Sequence, residues 1–104
     1  MIVRPSISGP HPEEDGSYLI SALLDEAIAF AQRLGGYRYA VDLTGIDPYD
    51  VVTFCEAEFG PDGVYGERDK RWRIEPTLMW TWNTSGVFYF SNEDDATAVA
   101  LRFK

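Results

Sequence analysis

The 104-residue sequence holds one cysteine, one histidine and nine basic residues against seventeen acids, and each shortage narrows what the chain can do. With Cys55 alone, no intramolecular disulfide forms, and neither a CxxC pair nor a Cys/His zinc pattern can be written. His11 sits between Pro10 and Pro12 with no serine or cysteine placed beside it, which argues against a catalytic triad. "DLTGID" lacks the glycine spacing of a phosphate loop, and acids at a helix start repel an anionic ligand. No apolar run approaches the roughly 18 residues that cross a bilayer, and "MIVRPSISGPHPEEDG" lacks the charged-then-apolar layout of a signal peptide. A cytoplasmic protein with no membrane partner, no cofactor, no metal and no enzymatic activity is the expectation.

What is present suits one compact domain spanning 1–104. Hydrophobic content of 45% beside 25% charge belongs to a folded chain rather than a disordered one. The net charge of -8 is unevenly spread: residues 1–66 carry eleven acids and three bases, whereas 67–104 carry six of each. Free nucleic acid needs an excess of Lys and Arg facing its phosphates, so it is an unexpected ligand, and a basic partner matches the field better.

The periodicity predicts an α+β fold, a small antiparallel-rich sheet with about three helices packed on it in the order (β)αβαββα. After a short extended segment and the loop "GPHPEEDG", Ser17 is expected to cap a first helix. Ile20, Leu23, Leu24, Ala27, Ile28, Ala31 and Leu34 form its apolar stripe, and Gly35 ends it. "YRYAVDL" alternates as a half-exposed strand. Asp47 and Pro48 read as the cap and first position of a second helix running to Gly60, with Val51, Phe54, Cys55 and Phe59 inward. Residues 60–71 read as a mobile loop. Two aromatic runs joined by "NTSG" predict a hairpin, with Pro76 setting Trp72–Ile74 apart as a separate piece or an edge segment. Asn92 caps a last helix with Ala96, Val99, Ala100 and Phe103 inward.

"RWRIEPTLMWTW", residues 71–82, gathers all three tryptophans. Leu78, Trp80 and Trp82 facing Phe88 and Phe90 across a hairpin account for most of it as core. A stacking platform for single-stranded nucleic acid needs a basic groove, yet Glu67, Asp69 and Glu75 interrupt Arg68, Lys70, Arg71 and Arg73. Trp72 and Arg73 are candidate protein-contact anchors, being of the residue types that dominate interfaces. Asp25 and Glu26 on the first helix, and Glu93 and Asp94 on the last, are candidate acidic contacts. Asp42, Asp47 and Asp50 have the oxygen chemistry for Mg²⁺ or Ca²⁺, but capping, the helix dipole and solvent explain them more simply. Cys55, on an apolar stripe beside Glu56 and Glu58, reads as a core residue rather than a nucleophile paired with His11.

"GVFYFSNEDDATAVALRFK", together with "CEAEFGPDG" before it, resembles the ends of small accessory proteins of tailed bacteriophages. The resemblance covers less than half of the chain and transfers no residue roles. It implies a noncatalytic acidic binding protein, an anti-CRISPR-like or other anti-defence inhibitor whose partner is a basic host or defence protein. The alternatives are an immunity protein that neutralises a basic toxin, a small phage structural protein and a small hydrolase.

Overall fold

The computed structural model describes residues 11–66, 71–75 and 79–104. In order they form β1 (His11–Pro12), β2 (Tyr18–Ser21), α1 (Leu24–Arg33), β3 (Tyr39–Asp42), α2 (Pro48–Phe59), β4 (Val64–Gly66), β5 (Arg71–Ile74), β6 (Trp80–Trp82), β7 (Val87–Phe90) and α3 (Glu93–Phe103). The chain is α+β with three helices among the described residues, as its patterning predicts. The antiparallel strands divide into two sheets, ordered β1-β2-β5-β4 and β3-β7-β6. The N-terminal extended segment, residues Glu67 to Lys70, Pro76 and Leu78 lie outside the described residues.

The aromatic hairpin forms as its alternation requires. Trp80 pairs with Phe90 and Trp82 with Phe88, while Asn83 and Gly86 make the turn. The Asn83 side-chain oxygen accepts from the amides of Ser85 (3.1 Å) and Val87 (3.2 Å), and Gly86 takes φ +98, a region that favours glycine. Trp80, Phe88 and Phe90 are wholly buried among Val51 and Cys55 of α2 and Val99 of α3, and Trp82 lies half-buried at the margin. Both later helices start where expected: Asp47 accepts from the Tyr49 amide (3.0 Å), and Asn92 from the Asp94 amide (2.9 Å).

The first helix is shorter than its apolar spacing suggests. Ser17 is not its cap, because Tyr18–Ser21 is a strand held between β1 and β5, and α1 starts only at Leu24. Ile20 still reaches the core, but Leu23 and Leu34 do not, being 72% and 43% exposed. The strand outcompetes a longer helix because its backbone groups are satisfied on both sides by pairing. The 60–71 stretch is likewise not a loop throughout, since Val64–Gly66 and Arg71 are strand residues. Trp72–Ile74 is a separate extended piece, but β5 is an interior strand of its sheet rather than an edge. Ile20, Ala27, Ala31, Tyr37, Val64 and Ile74 form the core on this side, beneath α1.

Candidate interaction surface

The six candidate contact residues do not share one surface. Asp25 and Glu26 are exposed in the first turn of α1. Glu26 accepts from the Leu23 amide (3.2 Å), satisfying one open donor of the helix start, so it has a capping role as well as a charge. Asp25 accepts from Asn83 Nδ2 (3.4 Å), which places it beside the β6–β7 turn. Glu93 and Asp94 are also exposed, but they follow Phe90 and therefore stand at the other end of that hairpin.

Trp72 and Arg73 are occupied within the fold. Trp72 is half-buried, donates from Nε1 to the Ala22 carbonyl (3.0 Å), and lies under Gly66. Arg73 donates to the buried Ser17 hydroxyl (3.0 Å), which itself donates to Asp15 (2.6 Å). The Ser17 hydroxyl and the Ser17 amide (2.9 Å), both donating to Asp15, hold its carboxyl below the ordinary range more than the Arg73 charge does.

The turn end of the hairpin carries more than Asp25. On one face Tyr49, 70% exposed, meets Trp82 edge to face with centroids 6.2 Å apart. On the other face stand Asn83, Asp25 and, two residues earlier, Leu23. The loop entering α2 lies alongside, with Leu43 N donating to the Gly86 carbonyl (3.0 Å) and Thr44 Oγ1 to the Ser85 carbonyl (3.2 Å). That loop presents Ile46, 37% exposed, together with exposed Asp42, Asp47 and Asp50. From residue 39 to 66 the sequence has no Lys or Arg, so the loop and helix that carry Ile46 and Tyr49 contribute only acids as charged residues. Among the described bases, Lys104 acts on Asp42, and exposed Arg71 pairs opposite Ser21, two residues before Leu23.

Other candidates are accounted for by structure. Asp42 accepts from the Thr44 hydroxyl (2.6 Å) and amide (3.0 Å), bonds that hold its carboxyl below the usual range. Among the described residues no three His, Cys, Asp or Glu side chains are arranged to hold a metal. Cys55 is fully buried, and burial, with the charges of Asp62, Asp95 and Glu56, pushes its thiol up to about 12. It is a thiol at neutral pH and packs as a small apolar group. The backbone of His11 pairs with Leu19; its side chain is outside the described set. No helix among the described residues is long and apolar enough to cross a membrane.

The sequence alone did not single out Leu23, Ile46 and Tyr49. Leu23 looked like a core position by spacing, and only the strand before it turns it outward. Comparison with known proteins finds no match among family models, curated proteins or solved structures.

Proposed function

We propose that this protein is a noncatalytic binding protein that engages a basic protein partner through the turn end of its aromatic hairpin. The observation that carries the reading is the exposure of Leu23 and Tyr49 at 72% and 70%, on either side of a turn rimmed by Asp25, Glu26, Asp47 and Asp50. Exposed apolar side chains inside a charged rim are the usual anatomy of a protein interface. A tyrosine supplies a rigid amphipathic anchor, and surrounding charge of one sign speeds encounter with an opposite surface. The partner is a protein with Lys and Arg around an apolar recess. The finer reading is an anti-defence inhibitor of a host nucleic-acid-processing complex, at work in a bacterial cytoplasm. It is supported by the -8 net charge and by the resemblance of the C-terminal strand and helix to phage accessory proteins.

The test is capture from nuclease-treated bacterial lysate with four tagged baits: the natural chain, Asp25→Lys with Glu26→Lys, Tyr49→Ala, and Glu93→Lys with Asp94→Lys. The first and last are expected to retain the same basic protein, and the middle two to lose it. Identical capture by all four would contradict the assignment of this surface. Free DNA and RNA should show no saturable binding by fluorescence anisotropy at micromolar protein in physiological salt. Saturable binding there would favour a nucleic-acid ligand instead.

A further inference from the structure

β3 is an outer strand of its sheet and pairs with β7 on one side only. The two ends of that pairing fix where its backbone groups point. Leu43 N donates to the Gly86 carbonyl (3.0 Å), and Tyr37 N donates to Ser91 Oγ (2.8 Å), just beyond Phe90. Backbone groups alternate sides along a strand, so those of Tyr39 and Val41 face β7, whereas those of Arg38, Ala40 and Asp42 face away from the sheet. Among the described residues nothing hydrogen-bonds to the main chain of these three. The opposite edge of the same sheet is occupied, since the Gly63 amide donates to the Trp80 carbonyl of β6 (2.9 Å). An open edge is a template for a further strand, and neither proline nor bulge interrupts this one.

The same alternation sorts the side chains. Tyr39 and Val41 pack against the core, while Arg38, Ala40 and Asp42 are exposed on the other face. Asp42 takes both of its Thr44 hydrogen bonds on Oδ1, which leaves Oδ2 for another donor. When two copies of this strand lie antiparallel about a two-fold axis at Ala40, Arg38 of each copy comes opposite Asp42 of the other. The residues whose backbone groups already face the gap then form the hydrogen-bonded pairs, and a small side chain sits on the axis. Centring the pairing on Arg38 or on Asp42 would oppose like charges, and a shift by one residue would set each charge against an uncharged neighbour. Opposite charges directly across two strands stabilise their pairing and like charges oppose it, so "RYAVD" is self-complementary in one register.

We infer that the outer edge of β3 is a dimerisation surface whose occupant is a second copy of this chain, paired antiparallel about Ala40 so that the two β3-β7-β6 sheets join into one. An isologous contact of this kind closes after two copies and leaves no further edge of the same type. A short ladder and exposed ion pairs each contribute modestly, so the dimer forms between micromolar and millimolar protein. None of the residues assigned to the basic partner lies in β3, and the two assignments stand or fall separately.

Sedimentation equilibrium from micromolar to millimolar protein should show monomer passing to dimer, with more dimer at low salt. Arg38→Asp and Asp42→Arg, each checked for folding by circular dichroism, should weaken the dimer about tenfold or more, because either change sets like charges across the two-fold axis. Mixing the two variants, or combining both changes in one chain, puts opposite charges back at each pair and should restore association. In amide NMR, Arg38, Ala40 and Asp42 should shift with protein concentration more than Tyr39 and Val41, whose amides already face β7. A chain that stays monomeric throughout, a dimer indifferent to both reversals, a loss that neither mixing nor combination repairs, or protection of the three outward amides from exchange in the monomer would each overturn the proposal.

Discussion

Trp80→Ala is expected to destabilise the protein by about 3–5 kcal/mol, a large share of the roughly 5–15 that holds a domain of this kind together. The indole is wholly buried and lies parallel to Phe88, with centroids 6.4 Å apart and planes at 17°. It also supplies the Nε1 donor to the Gly60 carbonyl at 2.8 Å. Alanine leaves a cavity where packed aromatic atoms stood and takes the indole donor away from the Gly60 carbonyl. Leu101→Ala, at a position 80% exposed, is the control and should stay within about 0.5 kcal/mol of the parent. Urea titration followed by far-ultraviolet circular dichroism reads both. A Trp80→Ala protein with the parent's midpoint would show that the ring lies outside the core and would revive the stacking platform.

The second large effect is expected at Gly63. A methyl group there would overlap Tyr37 Oη and press on the Trp80 carbonyl oxygen at 3.3 Å. The tyrosine cannot swing away, since it is wholly buried and its backbone is held at φ +54 with its amide donating to Ser91 Oγ at 2.8 Å. Gly63→Ala should therefore cost at least about 1–3 kcal/mol, the range for overfilled cores. Tyr37→Phe removes the first atom the methyl meets. Because that hydroxyl has no partner, its loss alone should cost little. The double variant should be clearly more stable than the two single effects added together. Additive effects would place the crowding in the backbone rather than at the Tyr37 hydroxyl.

Much of the fold is legible where its determinants are local. Asp47 before Pro48, Asn92 before three acids, and Asn83 with Gly86 each specify an end or a turn from a few adjacent residues, and the structure uses them as read. β2 was not legible, because Ile20, Leu23 and Leu24 fit helical spacing. What makes Tyr18–Ser21 a strand is pairing with Arg71–Ile74, far along the chain. The same non-local pairing hides β4 and splits the strands between two sheets. Among the contact candidates, Asp25 was recognisable as an exposed helix acid. Its place beside Asn83 depends on how the hairpin turn meets the start of α1.

Acidic steering of a basic partner is tested most directly by the association rate of the captured partner, measured by surface plasmon resonance from low to physiological salt. The rate should fall steeply as salt rises, since attraction between exposed charges is screened over about 8 Å at physiological ionic strength. Asp25→Lys with Glu26→Lys should lower it and flatten its salt dependence, with circular dichroism unchanged. A rate that is flat in salt and indifferent to that charge reversal would contradict the account, leaving the acids at the turn end a means of solubility and not of recognition.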